Sequence, residues 1–170
     1  MAHRTASQTI GPFFHEALRW NDGARVTGGT GQRFVLSGRI IDGSGAPVGD
    51  AMVETWQMPD ATTQPAADGK AHGMARVETA RDGTFRIETT RPQGETPFLE
   101  VFIFARGLLK ALHTRVYIAS VDAVRNDPTL APIAGSPRLS TLVARETGPN
   151  AYEWDVRLQG EGETIFFEAA

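Results

Sequence analysis

Residues 96–107 read TPFLEVFIFARG. As a strand, this stretch puts Phe98, Glu100, Phe102 and Phe104 on one face and Leu99, Val101, Ile103 and Ala105 on the other. Both faces are apolar apart from Glu100, which predicts a strand buried on both sides, the centre of a sheet. A carboxylate placed there demands a partner, such as an arginine or a backbone N–H, so Glu100 is expected to be a paired sheet carboxylate. Arg106 closes the strand and is followed by a glycine.

Further short strands surround this segment. RFVLSGRIID (33–42), AMVETWQM (51–58), MARVETA (74–80) and GTFRIETT (83–90) precede it. ALHTRVYIAS (111–120) follows, and LSTLVARE (139–146), YEWDVRLQ (152–159) and ETIFFEA (163–169) read as closing strands. Asp82-Gly83 between two alternating runs is a strong hairpin signal. DAVRNDPTLAPIAGSPR (122–138) is irregular and broken by prolines. The 18 glycines and 10 prolines are scattered along the chain, punctuating turns. About eight strands with almost no helix predict an all-β protein, an antiparallel β-sandwich over residues 33–170. Residues 1–32 read as an N-terminal arm whose Ile10, Phe13, Phe14, Leu18 and Trp20 need burial on the chain's own sandwich or on another subunit. The 15-residue loop PDATTQPAADGKAHG (59–73) is poor in large apolar side chains, and loops of this length are commonly functional or mobile. Trp56 and Trp154 are expected in the core.

With 170 residues the chain fits one domain. A net charge of −3 from 17 basic and 20 acidic side chains leaves no basic stripe, which argues against nucleic acid or an anionic membrane as partner. There is no cysteine, so disulfides and thiolate-held metals are excluded. The opening MAHRTASQTI has no apolar segment of the kind that starts a secretory signal, and no apolar run approaches the about 18 residues of a membrane span. The expected location is the cytoplasm.

The histidines are His3, His15, His72 and His113, and the tyrosines are Tyr117 and Tyr152. No H-x-H, H-x-x-x-H or H-E-x-x-H pattern occurs, so a self-contained metal site would need distant loops to converge. His113 reads as a satisfied structural histidine. By residues alone, an enzyme subunit, a transthyretin-like binding module without a catalytic partner and an independent enzyme with a divergent metal site all stay open.

Three segments, SQTIGPFF, VETWQ and FIFARG…HTRVYI, together with the ending RLQGEGETIFFEA, resemble the alpha chains of protocatechuate 3,4-dioxygenases, in the intradiol ring-cleavage dioxygenase family. The likeness runs nearly the whole length in the same order. It implies an oxidoreductase in which this chain pairs with a homologous beta subunit as a hetero-oligomer of alpha–beta pairs. It also implies Fe(3+) held on the beta subunit by two tyrosines and two histidines, with none on this chain. The implied substrates are 3,4-dihydroxybenzoate and O2, giving 3-carboxy-cis,cis-muconate in aromatic catabolism. Iron-bearing chains of the family carry His-x-His where this chain has Phe98 and Glu100, and a tyrosine where it has Gln64. The resemblance implies substrate-pocket roles for Thr9, Gly11 and Pro12 of the arm and for Arg106, which would reach the substrate carboxylate. Phe13 stands where related chains often have tyrosine. For Arg106 a salt bridge remains the competing reading.

Overall fold

The computed structural model describes residue 18 and residues 22–26, 31–57 and 73–168. Nine strands appear among them: β1 (Arg33–Ile41), β2 (Met52–Trp56), β3 (Met74–Glu78), β4 (Thr84–Thr90), β5 (Phe98–Phe104), β6 (Leu112–Tyr117), β7 (Arg145–Gly148), β8 (Ala151–Glu153) and β9 (Val156–Arg157). They form two sheets. One is ordered β4-β1-β8-β7, with β9 also on β1; the other is ordered β3-β2-β5-β6. No helix among the described residues is long and apolar enough to cross a membrane.

Period-two patterning builds the layers. In β1, Phe34, Leu36 and Ile40 point inward; in β5, Leu99, Val101 and Ile103 do, each at most 4% exposed. Their side chains meet Val53, Ile87, Val116 and Trp154 between the sheets. The chain turns at Asp82-Gly83 as its sequence predicts, but not into a hairpin: β3 pairs with β2 and β4 with β1, so the turn carries the chain from one sheet to the other. Gly83 takes φ +77°, a conformation that costs a residue with a Cβ. The Asp82 carboxylate accepts from the Thr84 N–H (3.1 Å) and hydroxyl (2.7 Å).

β5 departs from the expectation of burial on both faces. Phe98, Glu100, Phe102 and Phe104 are only half-buried, because the main core lies on the other side of the sheet and the second apolar cluster, around Tyr117, Leu130, Leu139 and Leu142, reaches only Phe98 at the start of the strand. The strands are also not all antiparallel: β8 and β9 run parallel to β1. After β6 the chain crosses to the other sheet through a helical turn, α1 (Val121–Val124), and two 3₁₀ turns, Pro128–Ile133 and Pro137–Leu142, and a crossover of that length permits parallel entry.

Those 3₁₀ turns overturn the reading of residues 139–142 as a strand. Ser136 caps the second turn by accepting from the Arg138 N–H (3.2 Å), Pro137 opens it, and Leu139 and Leu142 lie fully buried on one side at three-residue spacing. Residues 163–168 of ETIFFEA are likewise no strand. They run along the free edge of β6, where Phe167 N–H donates to the His113 carbonyl (2.8 Å) and the Thr114 hydroxyl to the Ile165 carbonyl (2.7 Å). Covering an edge in this way leaves fewer backbone groups open to pairing with another chain. Trp154 is core, whereas Trp56 ends β2 with 40% of its surface exposed, on the sheet's outer face. Within the arm, residues 24–26 pair alongside β4, through Glu88 N–H to the Ala24 carbonyl and Val26 N–H to the Glu88 carbonyl, and Val26 is buried. The remaining apolar arm residues, Leu18 apart, lie outside the described residues, as does the loop after β2.

Gly38 of β1 marks the closest approach between β1 and the strand return at Trp154. A Cβ built there would stand 1.8 Å from the Trp154 carbonyl oxygen and 2.9 Å from the Phe85 ring. Gly38→Ala is expected to destabilise the chain by about 2–3 kcal/mol, at the upper end of overpacking costs, read as a lower urea midpoint. An unchanged midpoint would mean that β8 is not held against β1 in solution.

Candidate functional site

The outer face of the β3-β2-β5-β6 sheet carries the first polar constellation. Register places Glu100 between Trp56 of β2 and Arg115 of β6, Phe102 beside His113, and Phe98 beside Tyr117. Cross-strand neighbours on one face are close enough to interact directly. Glu100 uses both oxygens: Arg115 Nε donates to Oε1 at 2.9 Å, and His113 Nε2 lies 2.6 Å from Oε2. The carboxylate therefore has the arginine partner that its sequence context demanded, and His113 has its own partner. The His113 ring stacks on Phe102 (centroids 4.6 Å apart, planes 9° apart). The Arg115 guanidinium lies 4.3 Å over the Phe98 ring, a cation–π geometry.

From Arg115 the network runs inward. Its Nη1 donates to the Thr129 hydroxyl at 2.8 Å. Tyr117, fully buried, donates to Asp127 at 2.7 Å. Asp127 also accepts from the Thr129 N–H (2.8 Å) and hydroxyl (2.7 Å). Burial pushes the Tyr117 phenol up to about 12; the hydrogen bond from Arg115 opposes this and the Asp127 carboxylate adds to it. At Asp127 burial alone would raise the carboxyl, but the hydrogen bonds from Thr129 and Tyr117 outweigh it and hold the group below its usual range.

These opposite shifts predict stability loss at both ends of the pH scale. Tyr117 has a folded pKa above its unfolded value, so its contribution is complete below about pH 10 and is lost as pH rises towards 12. Two pKa units correspond to about 2–3 kcal/mol. Asp127 contributes above its ordinary carboxyl range, and that contribution is lost as pH falls through its depressed folded value. Urea unfolding of the wild type and Tyr117→Phe between pH 8 and 12 should show the stability gap between them narrowing above pH 10. Parallel curves would mean that this phenol does not titrate in a buried site.

The donor set at this position does not fit a ferric ion. Phe98 offers no lone pair, both Glu100 oxygens are engaged, and the Arg115 cation occupies the space beside them. Among the described residues no three His, Asp or Glu side chains gather as a metal-binding group. Gln64 lies outside the described residues.

The second constellation stands at the other end of β5, six residues and roughly 20 Å away at strand rise. Arg106 follows the strand on an exposed turn, and its Nε donates to the Asp50 carboxylate. Antiparallel pairing of β2 with β5 matches Met52 with Phe104; carrying that register two residues further sets Asp50 opposite Arg106. The two residues border a cleft of about 520 Å³ whose apolar wall includes Pro47, Val48, Ala105, Leu108 and Leu158. Neither Nη of Arg106 makes a hydrogen bond within the described residues. Thr9, Gly11, Pro12 and Phe13 lie outside those residues, so the structure neither joins them to Arg106 nor separates them from it. Sequence reasoning did not anticipate Asp50, 56 positions away, although the turn between β1 and β2 and the β2–β5 register would have pointed to it.

No protein-family model matches the chain. It is 32% identical to the protocatechuate 3,4-dioxygenase alpha chain of Burkholderia cepacia over 191 residues, covering 97% of each chain. The beta chain from Burkholderia cepacia is 24% identical over 183 residues, covering 93% of this chain and 77% of that one. Among solved structures, the dioxygenase domain of a dioxygenase–carbohydrate-binding protein fusion from Streptomyces sp. SirexAA-E superposes with a TM-score of 0.54 at 20% identity, over 93% of this chain and 99% of that one. This structural likeness shows a shared fold.

Proposed function

The chain belongs to the protocatechuate 3,4-dioxygenase alpha-chain family of intradiol dioxygenases, and we propose that it acts as the iron-free alpha subunit of such an enzyme. In this reading a homologous beta subunit carries the Fe(3+). The two chains together enclose the pocket in which O2 cleaves 3,4-dihydroxybenzoate to 3-carboxy-cis,cis-muconate. The observation that carries the proposal is the division of β5. At one end, where iron-bearing relatives have His-x-His, the positions hold Phe98 and a Glu100 locked by Arg115 and His113. At the other end, Arg106 presents a cation whose terminal nitrogens make no hydrogen bond among the described residues.

The two ends are too far apart to serve one small aromatic acid on the same chain. An Arg106-lined pocket is therefore completed by another subunit, and the existence of a related beta chain supports that partner. The oxidative chemistry then belongs to the beta subunit. This chain contributes a planar guanidinium matched to a carboxylate. Its arm, residues 1–32, contacts the partner and walls the pocket through Thr9, Gly11, Pro12 and Phe13. A Gly-Pro turn suits that task, because Gly11 has no side chain to keep the backbone from a flat ring and Pro12 limits the arm's freedom. Positioning and exclusion of water are its catalytic contribution.

Co-expression with a homologous chain bearing H-x-H tests the assignment. The expected product is a hetero-oligomer with one iron per beta subunit that turns over protocatechuate, while the chain purified alone holds no stoichiometric iron and is inactive. A lone chain that carries its own ferric ion and cleaves the ring would overturn it.

A further inference from the structure

We propose that Asp50 is a positioning residue. It takes the Nε–H of Arg106 and thereby leaves the edge between Nη1 and Nη2 to grip the substrate carboxylate end-on. This deepens the proposed function and rests on it.

A guanidinium offers five N–H donors in a rigid plane. With Nε engaged by Asp50, the one edge that keeps two unengaged parallel donors is Nη1–Nη2. The plane of the fork is then set by where Asp50 stands, and Asp50 stands on a fixed turn. Thr79, 3% exposed, holds both flanks of that turn: its hydroxyl donates to the Val48 carbonyl (2.7 Å) and accepts from the Ala51 N–H (3.0 Å). Gly49 lies so close to the β3–β4 turn that a Cβ would come within 2.8 Å of the Arg81 backbone. Upstream, Asp42 closes the same connection by accepting from the N–H groups of Ser44 (2.8 Å) and Ala46 (2.9 Å). Arg106 itself is the loose member: its side chain is 63% exposed, against 24% for Asp50. A long side chain on a turn loses much rotamer entropy when it binds a ligand, and a fixed carboxylate behind it removes part of that cost beforehand.

The experiment uses the alpha–beta complex, with assembly checked by gel filtration. Asp50→Ala should raise KM for protocatechuate about five- to tenfold with kcat unchanged, the size expected when one charge-assisted contact loses its orientation. Asp50→Asn, whose amide oxygen can still accept from Nε, should recover KM to within about twofold of wild type. Inhibition by catechol, which lacks the carboxylate, should keep its Ki in both variants. If Asp50→Ala leaves KM unchanged while Arg106→Ala raises it, the positioning role is wrong and the proposed function stands. Equal weakening of protocatechuate and catechol would also overturn it, by making Asp50 a support of the turn alone. If Arg106→Ala itself changes nothing, the carboxylate anchor beneath both readings fails.

Discussion

Replacing Arg106 with alanine in the alpha–beta complex is expected to raise KM for protocatechuate about ten- to a hundredfold while kcat stays within about twofold. The range follows from a charge-assisted bond shielded from water, worth about 1.5–3 kcal/mol. It falls on KM because the carboxylate does not change charge during ring cleavage, so the contact is equally strong in ground and transition states, and uniform binding of that kind leaves kcat alone. The binding loss should also be selective: catechols without a carboxylate should bind wild type and variant alike. Arg106→Lys should recover part of the loss, since an ammonium keeps the charge but not the planar fork. A variant with wild-type KM would place Arg106 in the ion pair with Asp50 and nowhere else.

The second large effect lies at the far end of the same strand. Arg115→Met should lower the chain's unfolding free energy by about 3–5 kcal/mol, because it strips a partly buried cation from Glu100 and takes a hydrogen bond from Thr129. Glu100 would keep only His113, and the Phe98 ring would lose the cation above it. Glu100→Gln should cost less, since it leaves an amide that still accepts from Arg115. The double variant Glu100→Gln, Arg115→Met should cost less than the sum of the singles, because it removes the orphaned charge together with its partner. Additive losses would mean that the two groups do not interact. Neither substitution should confer iron binding, since Phe98 still supplies no donor.

These two residues also mark how far sequence reading reaches. Alternation in RFVLSGRII and FLEVFIF was enough to predict strands, and Asp82-Gly83 a tight turn, because side-chain period and turn conformation are local properties of the chain; that the turn joins two sheets rather than closing a hairpin was not legible, because strand pairing is not local. The absence of any H-x-H pattern was equally plain, since a ligand pattern is a matter of residue type and spacing. The family resemblance was legible for the same reason, carried by motifs that keep their order along the chain.

What escaped were properties set by partners distant in sequence. LSTLVARE has the composition of a strand, yet Ser136 and Pro137 start a 3₁₀ turn there, and Leu139 and Leu142 find their burial beneath it. Trp56 looks like core but sits on the outer side of its sheet, and β5 looks doubly buried but keeps its outward face half-exposed, with only Phe98 reaching the second apolar cluster. Nothing in residues 96–107 distinguishes a strand covered on both sides from one whose second face meets a polar network. That choice depends on which elements the crossover from β6 brings back, and chain folding makes it over more than twenty intervening residues. The separation of Glu100 from Arg106 and the pairing of Arg106 with Asp50 belong to the same class: residue types determine what each side chain can bond, and only strand register decides which bond it makes.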